Sequence, residues 1–252
     1  ADPAREQEVC ELLGQWLRSR PPFVFDFKGV SHEARLLEMI PEDLRIDEGH
    51  GSYAIRRPDG GMTEWLETMS ANRRKDVRRA FKRLEAAGCQ LRVVPPAEAD
   101  RALEDLRRLQ HAQFGDSSVL IPVFDRFRGA VEVPLRTGEA QFFEIVGPDG
   151  RTLVLDLWIR AGWRAESFAY ARSPDAPAGA GNALLAYVVD AADPSIEELD
   201  LGTHHGTWKR GWAQLHRRCV DVRGAFGVRP RLVTRTVDLA VKALRFGRRM
   251  RK

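Results

Sequence analysis

A carboxylate, two imidazoles and an ammonium fall within ten residues in the segment Asp200-Leu-Gly-Thr-His-His-Gly-Thr-Trp-Lys209. Side chains of these types take up a proton, return it and stabilise developing negative charge. The segment follows a short apolar run, Glu198 to Leu201. A packed strand fixes the backbone there, and the loop after it holds charged groups without burying them unpaired. His204 and His205 carry an imidazole whose ordinary pKa, about 6.5, suits a general base. Lys209 either stabilises an oxyanion or a phosphate, or is a solvated lysine on a helix. Asp200 either orients Lys209 or a histidine, or caps the next helix.

Upstream, Ala178-Gly179-Ala180-Gly181-Asn182 opens a predicted helix. Free N–H groups and the helix dipole attract a phosphate at such a start, and glycine lets the chain approach it closely. The same pattern also serves as a plain helix-start loop. Asp156 lies in the apolar run Leu153-Val-Leu-Asp-Leu-Trp-Ile159. A carboxyl there is either a perturbed acid in a site or an edge-strand residue facing solvent, and Glu166 on the following strand has the same two readings. Trp208 and Trp212 are the tryptophans expected near a ligand.

The elements that must position these residues show in the hydrophobic period. Helices are predicted at 5–19, near 33–39, from about Ser70 to Ala87 with Gly88 as its stop, at 97–113 and around 123–131. From Gln141 the pattern becomes extended. Strands at 141–146, 152–160 and 164–172 form a meander joined by Gly147-Pro-Asp-Gly150 and Ala161-Gly162. A helix from Asn182 to Ala192, the strand 198–201, a helix near 206–215, a strand 219–222 and a helix 233–246 complete the chain. Earlier strands are expected at 23–27 and 53–55, with Pro58-Asp-Gly-Gly61 as the best boundary.

At 252 residues, 43% hydrophobic and 30% charged, the chain has the make-up of a soluble globular protein. It lacks both an apolar run of about 20 residues and a signal-like amino end, which reads as cytoplasmic. Cys10, Cys89 and Cys219 are too scattered for a disulfide framework or a structural zinc site, so no metal is expected. Net charge is only +4, yet residues 73–83 hold seven Lys or Arg against one Asp, and residues 245–252 hold five. Such blocks are either docking sites for anions or solvated helix faces.

The order of elements resembles the GNAT acyltransferase fold. Asn72-Arg-Arg-Lys-Asp-Val-Arg-Arg79, Arg83-Leu-Glu-Ala-Ala-Gly88, and Leu199-Asp-Leu-Gly202 ahead of Trp208-Lys209 resemble the acetyltransferase family that includes the cellulose-biosynthesis protein CelD, a cousin of the FemABX aminoacyl-transferases. The resemblance spans about residues 53–222. It implies an α+β, three-layer domain with a mixed, mainly antiparallel sheet between helices. The corresponding division is an N-terminal extension at 1–60, read as a truncated or degenerate second GNAT half, a GNAT-like domain at 61–228, and a helix with a basic tail at 229–252. Trp208 stands where the family carries Tyr, Thr203-His-His-Gly206 replaces a Gly-rich acidic loop, and Ala176 stands where the family places Gln or Arg.

Under that resemblance, residues 178–182 receive the donor phosphates. Backbone N–H groups near Phe168 to Tyr170 polarise the acyl carbonyl, Tyr170 protonates the departing sulfur, His205 or His204 is the base, and Lys209 acts at the transfer centre. Asp156 or Glu166 is the base if neither histidine is. The leading expectation is an acyltransferase with acyl-CoA as co-substrate, no permanently bound cofactor, and a small-molecule or saccharide amine or hydroxyl as acceptor. The second keeps the fold with aminoacyl-tRNA as donor, tracked by residues 73–83 and 245–252. The third is a non-catalytic nucleic-acid or partner-binding module on a decayed fold.

Overall fold

The computed structural model describes residues 51–203 and 208–226, strands at 23–31 and 45–48, and isolated positions between residues 7 and 37. In chain order the elements are β1 (Phe23–Ser31), β2 (Arg45–Glu48), β3 (Ser52–Arg56), α1 (Gly61–Glu67), α2 (Ala71–Ala86), β4 (Gln90–Val93), α3 (Ala99–Phe114), α4 (Phe124–Thr137), β5 (Ala140–Val146), β6 (Thr152–Ala161), β7 (Arg164–Arg172), α5 (Ala180–Ala191), β8 (Glu198–Thr203), β9 (Leu215–Arg217) and β10 (Cys219–Phe226). Contacts divide the chain into two compact units, residues 1–52 with 203–205 and 216–252, and residues 53–202 with 206–215. The first contains a three-stranded antiparallel sheet ordered β1-β10-β2.

The second unit is built on a seven-stranded sheet ordered β4-β5-β6-β7-β8-β3-β9. Strands β4 to β7 pair antiparallel, whereas β7 and β8 pair parallel. On one face, α1, α2 and α5 bury Trp65, Val77, Ala80, Leu84, Leu184 and Val188 against Phe143, Val154 and Trp158. On the other, α3 and α4 bury Leu103, Leu106, Leu109, Phe127 and Val131 against Phe142, Leu155, Leu157 and Ala171. The strict alternation Val154, Leu155, Leu157, Trp158 between the two clusters is why β6 is apolar on both sides and reads as an unbroken hydrophobic run. The expected α+β arrangement of a mainly antiparallel sheet between helices is the one found.

Local signals act where expected. The Ser70 hydroxyl caps α2 by accepting from Arg73 N–H at 3.4 Å. Gly88, with φ +65°, stops the chain after α2 as only glycine does comfortably. One expectation needs correction. Where a helix is expected at 206–215, the described residues form a single 3-10 turn, Lys209–Gly211, followed by β9. Pro58-Asp-Gly-Gly61 leads into α1. The helices expected at 33–39 and 233–246, the basic tail 245–252, and His204 and His205 lie outside the described residues. No described helix is long and apolar enough to cross a membrane.

One buried charge is closely surrounded by donors: Glu144, which is 0% exposed. Its oxygens accept from Arg92 Nε at 2.8 Å, Arg101 Nη2 at 2.7 Å and Thr152 Oγ1 at 2.9 Å. A buried carboxylate that loses a cation keeps its full desolvation cost. Arg101→Met is therefore expected to destabilise the domain by about 2 kcal/mol, below the ~3–5 of a fully buried pair because the arginine is partly exposed. Urea unfolding measures the loss, and adding Glu144→Gln should recover part of it.

Candidate active site

The geometry begins with one extra residue in β7. Leu157 pairs with Ala169 but Trp158 pairs with Ser167, so Phe168 is bulged out of the β6–β7 ladder. Phe168 stacks on Phe127 of α4 at 5.9 Å, on the same face as Ala169. The bulge shifts the alternation, so Ser167 and Tyr170, three apart, both face the α2/α5 layer. Between them lies Asp156, the cross-strand partner of Tyr170.

Asp156 sits on a central strand and is 6% exposed, which rules out the solvent-facing edge position. Ser167 Oγ donates to its Oδ1 at 2.8 Å and Trp158 Nε1 donates to its Oδ2 at 2.9 Å. Burial pushes this carboxyl up to about 7, against the two hydrogen bonds and the Lys209 charge that favour ionisation. Tyr170 is pushed up to about 12, first by burial and then by the Asp156 carboxylate. Its hydroxyl therefore stays protonated at neutral pH.

Beyond Glu166 and Asp200 the parallel ladder of β7 and β8 stops, after only three residue pairs. Asp200 closes the turn that follows by accepting from Gly202 N–H at 2.7 Å, and it pairs with Arg164. Lys209 is 7% exposed, and its ammonium donates to Leu201 O and, at 3.1 Å, to Gly202 O. Burial lowers its pKa, while Asp200, Glu166 and Asp156 pull it back up. Glu166, on the α3/α4 face, is raised by the crowding around it and then by Asp200, with Arg164 and Lys209 opposing. Its side chain nonetheless remains exposed, so it is the carboxylate of this group that a solute can reach.

Helix α5 starts beside Tyr170 of β7. Gly179 has φ +86° and lies so near α2 that a Cβ would stand 3.0 Å from Ala80 Cβ. Gly181 is helical, and a Cβ there would come within 2.6 Å of the Tyr170 hydroxyl. Ala180 N–H donates to Pro177 O, and Asn182 and Ala183 donate to Gly179 O, which leaves the Gly181 amide uncommitted among the described residues. Arg83 of α2 donates to Ala178 O at 3.1 Å, bringing a cation to the loop although Ala176 provides none.

The structure thus brings together Asp156, Tyr170, Glu166, Asp200, Lys209 and, at the helix start, residues 178–182. Trp208 is exposed, with its ring 5.9 Å from the Lys209 ammonium. Trp212 is a correction: it is buried against Trp65 at 5.9 Å and lies under the Arg73 guanidinium, away from solvent. Ser167, Trp158, Arg164 and Arg83 were not singled out from the sequence. Their partners are 2 to 95 residues distant, and only the Trp158–Asp156 spacing, i and i+2 on a strand, was open to inspection. Among the described residues no group of three or more His, Cys, Asp or Glu side chains is placed to hold a metal ion.

Residues 71–210 match the acetyltransferase (GNAT) domain family. No curated protein matches the chain. Among solved structures it is similar to FemX, at 12% identity and TM-score 0.57, covering 86% of this chain and 75% of that one. A conserved protein of unknown function from Bacteroides thetaiotaomicron VPI-5482 gives 9% identity and TM-score 0.60, with the same coverage of both chains. The C-terminal domain of a putative lysylphosphatidylglycerol synthetase from Agrobacterium fabrum gives 13% and 0.54, over 79% of this chain and 66% of that one. At these identities the likeness is one of fold.

A carboxyl raised from 3.8 to about 7 binds more protons folded than unfolded between those values, so its contribution to stability falls as pH rises through that window. Asp156→Asn removes the penalty. The variant should gain on the parent by as much as about 4 kcal/mol between pH 4 and pH 8, read from urea unfolding at each pH. A difference independent of pH would show that Asp156 titrates normally.

Proposed function

Because the chain belongs to the acetyltransferase (GNAT) domain family, we propose that it transfers an acyl group from acyl-coenzyme A to an amine or hydroxyl of a small molecule or saccharide. The observation that carries this reading is the early end of the β7–β8 ladder, beyond which β7 runs on to Tyr170 without pairing with β8, with the Tyr170 hydroxyl against Gly181 at the start of α5. The Gly181 amide, the α5 dipole and Arg83 offer the donor phosphates a positive seat. A thioester extending from there into the opening reaches the bulged stretch of β7, whose backbone N–H groups stabilise the oxyanion.

The acceptor enters from the α3/α4 face. Glu166 is exposed there, and the 53% exposed Phe168 ring gives a flat surface for the apolar side of a sugar. The acceptor's lone pair attacks the thioester carbon while Glu166 takes its proton. As the tetrahedral intermediate collapses, the C–S bond breaks and the thiolate takes a proton from Tyr170. Asp156 and Lys209 act as positioning residues, the first holding Ser167 beside the bulge, the second holding β8 away from β7. Glu166 thereby fills the role of base for which His204 and His205 were the first candidates.

One observation favours a second donor. Lys75, Arg78, Arg79, Lys82 and Arg83 are all exposed on α2, more cations than a single coenzyme A engages. An aminoacyl-tRNA donor would use them along its backbone. The fold likeness to the putative lysylphosphatidylglycerol synthetase domain and to FemX accords with that reading.

Saturating coenzyme A, at about 100 times its dissociation constant, should stabilise the protein by about 2.7 kcal/mol. A null result with coenzyme A, together with tRNA binding that weakens steeply with salt, would replace the first donor by the second. Glu166→Gln should lower turnover about 10²- to 10⁴-fold in a free-thiol assay over a panel of amines and sugars. If that variant keeps full rate while His205→Ala loses it, the imidazole is the base.

A further inference from the structure

At the end of the sheet away from the Gly179 loop there is a cavity of about 290 Å³. It opens among the first residues of β5, β7 and β8, the last of β6 and the final turn of α5. The 12-residue helix puts it roughly 18 Å from the α5 start. Its inner wall is apolar, formed by Phe143, Trp158 and Leu199, each almost fully buried. Glu139, Arg160 and Asp193 supply its charge.

The balance of that charge selects a ligand. The Arg160 guanidinium is already committed, donating to Gly162 O at 2.8 Å and pairing with Asp193 at 3.4 Å. Asp193 is further occupied by Ser195, whose N–H it accepts at 2.8 Å and whose hydroxyl it also accepts, and it lies in the field of Arg57. Among the described residues the Glu139 carboxylate accepts only from the Thr137 hydroxyl, at 3.3 Å, and has no cation beside it. One carboxylate is left over above an aromatic and aliphatic floor, and a cavity of this volume admits a small molecule.

Trp158 gives the cavity a connection to the rest of the sheet. The residue that walls the cavity also donates its indole N–H to Asp156 Oδ2. A molecule that packs against this indole and turns it changes the length of that hydrogen bond. The other groups facing Asp156 are the Ser167 hydroxyl, Tyr170 and the Lys209 ammonium, none of which lines the cavity.

We propose that this cavity is a second binding site, for a small amine with an apolar or aromatic body, and that Trp158 transmits its occupancy to Asp156. Binding rests on the cavity alone. The transmission rests on the indole hydrogen bond and not on the catalytic reading, so either can fail without the other.

The test uses phenethylamine and the like-shaped anion 3-phenylpropionate, titrated calorimetrically into the full chain. The amine should bind at least about tenfold more tightly than the anion, the equivalent of 1.4 kcal/mol. Glu139→Gln should remove most of that preference, and Ala191→Phe should fill the cavity and abolish binding while leaving the stabilisation by coenzyme A or tRNA unchanged. Saturating amine should move the Asp156 titration midpoint, followed by carboxyl ¹³C NMR, and Trp158→Phe should bind the amine yet lose the movement. Absence of amine binding, equal binding of both probes, preference unaltered in Glu139→Gln, or a midpoint that ignores the amine would each overturn the proposal.

Discussion

The bulge at Phe168 is the constraint on which the rest of this domain turns. In a regular strand, residues three apart face opposite ways, so Ser167 and Tyr170 would belong to different layers. The extra residue brings both to the face that carries Asp156, and it sends Phe168 onto Phe127 of α4 and Ala169 into the α3/α4 cluster. A hydroxyl that donates to Asp156, a carboxyl buried between strands and a phenol against the start of α5 are consequences of that one insertion. The cost is a break in the ladder. It is met by packing, since Phe168 recovers a stacked partner in Phe127.

The same economy governs the separation of β7 from β8. Once the ladder ends, carbonyls and amides of β8 lose their sheet partners and must find others. Lys209 supplies donors to Leu201 O and Gly202 O, while Asp200 accepts from the Gly202 amide. The opening is thus held by side chains that replace missing backbone bonds. Two carboxyl systems then differ by surroundings. Asp156 is buried with neutral donors and shifts far upward, whereas Glu166, in contact with solvent and with Arg164 and Lys209 near, is raised while still open to solutes.

Much of the scaffold could be read in advance because its signals are local. The α2 stripe of Val77, Phe81 and Leu84, in which Phe81 is only partly buried and Ala80 joins the buried face, the Gly88 stop and the meander turns each depend on a few neighbouring residues. The apolar run around Asp156 leaves burial and a solvent-facing edge position both open, since strand order, a long-range property, decides between them. Lys209 was misread as helical because an isolated turn and the start of a helix share the same composition. Arg83 could not be connected with the Ala178 loop across 95 residues, and the bulge itself has no signature in Glu-Ser-Phe-Ala-Tyr. Of the site, the chemistry-bearing residue types were visible, whereas their faces and partners were not.

Lys209 stands where the sheet parts, so its charge acts on Asp156 on one face and on Glu166 and Asp200 on the other. The two sides therefore share a counter-ion. When a proton neutralises Asp156, the ammonium keeps only Asp200 and Glu166 as the carboxylates that hold its own proton in place. A change in the protonation of Lys209 itself therefore reaches Asp156 and Glu166 alike, on opposite faces, with no rearrangement of the backbone required.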